Sequence, residues 1–406
     1  MSIPDTLKSP RILLIPDRYA SAESGGVSAW YQAEMMRRQG WRVGVFSPDI
    51  PTTESNKAAG LYRRTPFTAK ANYFDGQYRR ELNAVLDAFR PTHVFSAGVV
   101  IGRPLCYFDV VADWRIPHLY LVHLQDFYCS RIFAALHDGP CRKCLDGSKL
   151  HAFFNGCAAR TTRNKIGFLA NNTVNRFRLQ RRLRKVDWVL GSTQEQLNML
   201  GACGINRSKL VYFPLPFPPA RVQGVAVRKG TDIVVAGAAR LEKGIHLLRH
   251  LLPNDDGPRI RIAFGQREAG AWALREYGLE RFVESGRLIP HLGVTWENGL
   301  KELYANSLGV LILSLWPTTT EFAFLEALGM AKPVVCFDVG VHAERMVDGK
   351  NGLKARLGDY ARLRSHMTAL QTNPVLYDTI ADGAGRLFHE LTDETLLMGC
   401  LRGIIS

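Results

Sequence analysis

Short apolar runs recur along the chain between longer stretches in which apolar positions return every three or four residues. In the first half the runs fall at 11–16 (RILLIP), 42–47 (RVGVFS), 92–98 (THVFSAG), 118–124 (HLYLVHL), 188–192 (WVLGS) and 209–215 (KLVYFPL). Between the first two lies GGVSAWYQAEMMRRQG, where Val27, Trp30, Ala33 and Met36 recur near the helical period and Gly40 supplies the stop. Strand, glycine-rich turn, helix and strand make a βαβ unit. Near-continuous apolar strands predict a parallel sheet covered by helices on both faces.

The proline-rich stretch PLPFPPARVQGVAVRKG (214–230) reads as a linker, and the same pattern then restarts. Its runs are DIVVAGA (232–238), RIRIAFG (259–265), GRLIPHLG (286–293), LGVLILSL (308–315) and KPVVCFDVG (332–340), with helical segments such as GIHLLRHLL and GLKELYANS between most of them. The expected organisation is a first α/β domain over 1–215, a linker over 216–230 and a second α/β domain over 231–385. A C-terminal helix over 386–406 is expected to pack back on the first domain. In two such doubly wound domains, ligands bind at the carboxyl ends of the strands.

At 406 residues the chain is too long for one ordinary core, which agrees with two domains. No apolar run reaches the length of a membrane span, and the N-terminus lacks the pattern of a secretory signal, so a cytoplasmic protein is expected. The net charge of +15 favours a polyanionic or phosphorylated partner. Eight cysteines in such a chain argue against a disulfide framework and direct attention to metal or redox chemistry.

The stretch WPTTTEFAFLEALGMAKPVV (316–335) places Glu321 and Glu326 at and within an apolar helix. A glutamate at a helix start is favoured by the macrodipole. One inside the apolar stripe calls for a ligand or a buried partner. The chain resembles the retaining glycosyltransferases of family 4, of GT-B fold. The resemblance rests on GGVSAWYQAEMMRRQGWRVGVFSPD, VLGSTQEQLNMLGACGINRSKLVYFP, VVAGAARLEKGIHLLRHL and EFAFLEALGMAKPVVCFDVGVHAERMVDGKNGL, in that order. It implies two Rossmann-like domains facing across a cleft. It further implies transfer of a sugar, a hexose, from a nucleotide donor with retention of configuration. The acceptor would be a saccharide or lipid-linked saccharide in lipopolysaccharide, capsule or other cell-surface polysaccharide synthesis.

The resemblance also assigns residues. Arg240 and Lys243 in AARLEKG are expected to meet the leaving diphosphate, as fixed cations do. The plain alternative is a solvated pair. Glu326 matches the family's second glutamate, which accepts from the ribose hydroxyls. The first glutamate aligns with Thr318, so either Thr318 replaces it or Glu321 supplies it through a shortened loop. Thr318, Thr319 and Thr320 are expected to cap the helix that faces the donor. Gly25 and Gly26 let the backbone approach a ligand, or form a plain turn. In LVHLQDFYC, His123 and Asp126 stand where relatives carry adjacent His and Asp. Gln125 takes the usual histidine's place, so His123 is a catalytic or a core residue.

Cys129, Cys141, Cys144 and Cys157 lie within one stretch whose central C-x-x-C can place two thiolates on one metal. A structural zinc is expected there, with His151 as a substitute ligand. Four reduced thiols or an iron–sulfur cluster are the alternatives. No cofactor is expected for catalysis. From Arg160 to Lys185 the chain is basic without an acidic residue, which reads as a solvated helix or as a contact with anionic lipid or a phosphate-bearing acceptor. The latter would attach the protein peripherally to the inner face of the plasma membrane. Rival readings are a GT-B nucleotide-sugar-binding protein without turnover, a GT-B epimerase, and a nucleic-acid-binding protein. The last lacks any nucleic-acid module, and no nucleic-acid partner is expected.

Overall fold

The computed structural model describes the chain except residues 1–8, 20–23, 52, 65–75, 99–104, 137–138, 149, 156, 158–164, 254–256, 320 and 406, and only the backbone of 165, 168, 171 and 172. It divides into two compact units: 1–133, 142–218 and 393–406 form the first, 134–141 and 219–392 the second.

The strands follow the apolar runs. In chain order they are β1 (Arg11–Ile15), β2 (Arg42–Ser47), β3 (Leu61–Arg63), β4 (His93–Gly98), β5 (His118–Val122), the short antiparallel pair β6 (Ala135–Leu136) and β7 (Gly139–Pro140), β8 (Trp188–Gly191) and β9 (Leu210–Tyr212). The first unit's sheet has the order β3-β2-β1-β4-β5-β8-β9, with every pairing parallel. β1 sits centrally, pairing Ile12 with Val43 on one side and with His93 on the other. Its Ile12, Leu13, Leu14 and Ile15 are all buried, as a strand covered on both faces requires.

The second unit repeats the plan with β10 (Ile233–Ala236), β11 (Ile260–Phe264), β12 (Leu288–Leu292), β13 (Gly309–Ile312), β14 (Val334–Phe337) and β15 (Leu353–Ala355). Their order is β12-β11-β10-β13-β14-β15, again all parallel. Lys332, wholly buried just before β14, donates to the carbonyls of Arg228 (2.6 Å) and Ser307 (2.8 Å). Burial lowers its pKa to about 8.

Several expectations change in detail. The helix after β1 is Ser24–Arg38, so Gly25 and Gly26 form its first turn rather than a preceding turn. Its buried face contains Ala29, Ala33 and Met36 together with Gln32 and Met35, while Trp30 is exposed. Gly40 does end it, at φ 79° with its N–H on Arg37 O. The stretch read as a linker is tied to the second unit: Pro219–Val222 is a 3-10 turn, Arg228 N donates to Ala305 O, and Gly230 N donates to Ser307 O. The helix Pro374–Leu391 belongs to the second unit, with Tyr377 and Ile380 in its core. The helix Glu394–Ile405 belongs to the first, placing Leu397, Met398, Leu401 and Ile405 in a core with Ile12, Leu14 and Val45. Tyr31 and Arg38 both hydrogen-bond Glu394. Among the described residues no helix is long and apolar enough to cross a membrane.

Candidate functional site

The site of the second unit is built where the chain leaves β10 and β13, adjacent parallel strands at the middle of the sheet. After β10 the chain makes a 3-10 turn, Leu241–Lys243, closed by Gly244 at φ 69°. A side chain on Gly244 would overlap the carbonyl of Leu313, so glycine alone permits this approach. Leu315 N donates to Glu242 O (2.9 Å), fixing the turn against the segment that follows β13. Lys243 is thereby brought to the start of the helix Phe322–Gly329.

Glu321 is the N-cap residue of that helix, and its carbonyl accepts from Phe324 N and Leu325 N. Its side chain makes no cap bond and turns instead to three neighbours. Lys243 Nζ donates to Oε1, Ser314 Oγ lies 2.9 and 3.0 Å from the two oxygens, and His342 Nε2 is 3.7 Å from Oε2. Burial is the largest influence and would push the Glu321 carboxyl up, but its polar neighbours together, Lys243 foremost, hold it below the ordinary range. His342 is 1% exposed, and burial lowers its pKa to about 4, so the ring is neutral at pH 7. Its ring stands edge-on to Phe324 at 4.9 Å.

Glu326 lies five positions further along, about 140° round the helix, and so meets different partners. Its Oε1 accepts from Arg221 Nε at 2.8 Å. Arg221 also faces Glu297 at 3.4 Å and lies over the rings of Trp296 (5.1 Å) and Phe322 (5.7 Å). Burial raises the Glu326 pKa to about 7 against the opposing pull of Arg221. Tyr304, wholly buried and edge-on to Trp296 at 5.6 Å, is raised well above its ordinary range by burial and by the charges of both glutamates.

The other expected residues fall as follows. Arg240 has a side chain 59% exposed, facing Glu242 at 3.9 Å. Thr318 is fully buried, and its carbonyl accepts from Val341 N at 2.8 Å. Gly340, at φ 60°, could carry no side chain without striking Thr318. Thr319 is buried, and Thr320 lies outside the described residues. The expected threonine cap is corrected: the cap position belongs to Glu321, because the carboxylate is drawn back to Lys243 and the helix starts one residue later. Sequence reasoning also missed Arg221, Ser314 and His342. Ser314 was visible as the one hydroxyl in LGVLILSL.

In the first unit Asp126 and Gln125 are buried and His123 is partly exposed beyond the end of β5. Gln196 Nε2 donates to Val122 O (3.2 Å) and its Oε1 accepts from Ser192 N (2.9 Å), joining the ends of β5 and β8. Cys129, Cys144 and Cys157 belong to the first unit and Cys141 to the second, and no disulfide joins them. Among the described residues no three His, Cys, Asp or Glu side chains are grouped as metal ligands. The basic segment contains the helix Lys165–Leu183, with Arg176, Leu179, Gln180 and Leu183 buried. Arg176 bonds Ser130 and Thr173, and Arg182 pairs with Asp109 at 2.7 Å. The apolar strip of Leu179 and Leu183 therefore faces the core, while Ile166, Val174 and Phe177 are exposed.

Residues 231–373 match the family model described as Glycosyl transferases group 1. Among solved structures, the sucrose-phosphate synthase of Thermosynechococcus elongatus superposes with a TM-score of 0.70 at 15% identity, over 97% of this chain and 98% of that one. Anabaena HepE, in complex with UDP-glucose, gives 0.67 at 14% identity, over 97% and 99%. A variant of S. aureus TarM, in complex with Fondaparinux, alpha-GlcNAc-glycerol and UDP, gives 0.64 at 9% identity, over 98% and 100%. These likenesses show the fold, two parallel-sheet α/β domains of the GT-B class. Among curated proteins none matches the chain by sequence.

Proposed function

We propose that this chain is a retaining glycosyltransferase that moves a sugar, a hexose, from a nucleotide-sugar donor to a saccharide or lipid-linked saccharide in cell-surface polysaccharide synthesis. The observation that carries the reading is the pairing of half-buried Lys243 with buried Glu321 and Ser314, at the start of the helix that also carries Glu326, at the carboxyl ends of β10 and β13 and inside the matched segment. HepE with UDP-glucose and TarM with UDP and a saccharide, both sharing the fold, support the choice of ligands.

Departure of a nucleoside diphosphate develops negative charge on its phosphate oxygens, and a cation already in place stabilises that charge without reorganisation. Lys243 supplies the cation. Glu321 anchors it, and Ser314 in turn anchors Glu321. Arg240, exposed in the same turn, adds positive charge. Glu326 accepts from the ribose hydroxyls, a charged hydrogen bond worth about 1.5–3 kcal/mol. Nucleotide sugars screened by thermal shift should include at least one that raises the melting temperature. The anomeric proton of the product, followed by NMR with that donor, should keep the donor's configuration. No stabilising donor, or an inverted product, would overturn the reading.

The acceptor side of the proposal includes an anionic membrane surface. Ile166, Val174 and Phe177 recur at helical spacing on the exposed face of Lys165–Leu183, beside exposed Arg178 and Arg181. Apolar residues flanked by arginines suit a surface of anionic headgroups. A structural zinc on Cys129, Cys141, Cys144 and Cys157 rests on their spacing.

A further inference from the structure

Glu326 is buried, yet the group that holds it comes from the stretch that reads as a linker. Arg221 lies in the 3-10 turn Pro219–Val222, and its Nε reaches Glu326 Oε1 at 2.8 Å. The guanidinium is confined: it lies over Trp296 at 5.1 Å and Phe322 at 5.7 Å, and Glu297 takes Nη1 at 3.4 Å. Its backbone is confined as well, because Trp296 Nε1 donates to Arg221 O at 3.1 Å. Val222 is packed so tightly against the helix Phe322–Gly329 that a side chain at Gly329 would meet it. An arginine merely filling space needs none of these restraints. Among the described residues, the only hydrogen bond to the Glu326 carboxylate is the one to Oε1, so Oε2 is left to accept from a further donor.

We propose that Arg221 is a positioning residue for nucleotide binding: it fixes Glu326 as an aimed carboxylate, with one oxygen held and the other presented to a ribose hydroxyl. This rests on Glu326 as the ribose ligand. Charge reinforces the geometry. Burial drives the Glu326 carboxyl toward its neutral form, with Arg221 as the opposing influence and Glu297 adding to the rise. The remaining ionisable group coupled to Glu326 is Tyr304, which burial keeps protonated. A protonated Glu326 has lost acceptor capacity, so removal of Arg221 moves productive binding to higher pH.

The test is UDP affinity, measured by calorimetry from about pH 6 to pH 9, for the full chain and for Arg221→Met, Arg221→Lys and Glu326→Gln. One unit of added pKa is tenfold in the ratio of ionised to protonated carboxyl. With Glu326 about half ionised at pH 7 in the wild type, one added unit leaves about a tenth ionised, so Arg221→Met should bind UDP about fivefold more weakly near pH 7 and regain most of the loss near pH 9. Arg221→Lys should restore part of the affinity at pH 7, because it returns the charge without the fork. Glu326→Gln should bind weakly at every pH. It should also no longer distinguish UDP from its 2′,3′-dideoxy analogue. A loss in Arg221→Met that is equal at all pH values, with a lowered melting temperature, would overturn the proposal and leave a structural ion pair. Unchanged binding in Glu326→Gln would instead overturn the ribose assignment on which it rests.

Discussion

Lys243 and Glu321 are partners of unequal burial, and removing one is not equivalent to removing the other. The Glu321 side chain is 6% exposed and that of Lys243 22%. Lys243→Met leaves a buried carboxylate with Ser314 alone to donate to it. Truncating one partner of a buried pair costs about 3–5 kcal/mol, and the lower end applies here because Ser314 remains. Glu321→Gln leaves an ammonium that can turn to water, so its cost should be about 1 kcal/mol. The pH dependence follows from the same burial. In the wild type the folded pKa of Glu321 is depressed, so its contribution is present above the unfolded value of about 4.3 and lost as pH falls through the folded one. In Lys243→Met burial loses its main opponent, with Ser314 still donating, and the folded pKa rises. The protonated carboxyl then contributes below about pH 4.3, and that contribution is lost as pH increases toward the new value. The stability gap between wild type and Lys243→Met should therefore widen between about pH 5 and pH 7, by about 1.4 kcal/mol for each unit of the rise. Urea unfolding at fixed pH, followed by circular dichroism, measures it. An equal gap at both pH values, or a cost for Glu321→Gln as large as for Lys243→Met, would refute the reasoning.

Gly244→Ala should lower donor turnover at least tenfold and destabilise the protein by about 1–2 kcal/mol from the left-handed conformation alone, with the contact at Leu313 adding to it; kinetics and melting temperature read the two effects. Co-sedimentation with vesicles should rise with anionic lipid and fall with salt, and reversing Arg178, Arg181 and Lys185 should abolish it, at about 1 kcal/mol per charge. Arg182 and Arg184 are poor choices for that test, since they hold Asp109 and Cys203 O. Metal analysis of the purified protein should find about one zinc per chain, bound by thiolates. A metal-free, fully active preparation would remove the zinc.

The parallel sheets were legible because their strands are apolar on both faces and need no alternation to be recognised. β3 and β15 were not, because each is three residues long and one of the three is basic, so neither forms an apolar run. Glu321 and Glu326 stood out as carboxylates beside an apolar helix. Their partners did not. Arg221 sits among prolines and reads as tether; Lys243 stood out only as a diphosphate cation, and it and His342 lie 78 and 21 positions from Glu321, so only the folded sheet shows them to be its partners. Trp30 misled for the opposite reason: it keeps the helical period but falls at the edge of the face that buries Ala29 and Ala33.

The placement of Glu394–Ile405 in the first unit's core has a consequence for synthesis on the ribosome. Domains ordinarily fold in the order in which they emerge. Here the first unit lacks Leu397, Met398, Leu401 and Ile405 until the whole second unit has been translated. The N-terminal sheet therefore emerges first and is completed last, with the face around Ile12 and Val45 open throughout, a natural position for a chaperone to guard. A premature stop after Thr392 would spare the second unit's sequence and still leave the first without its closing helix.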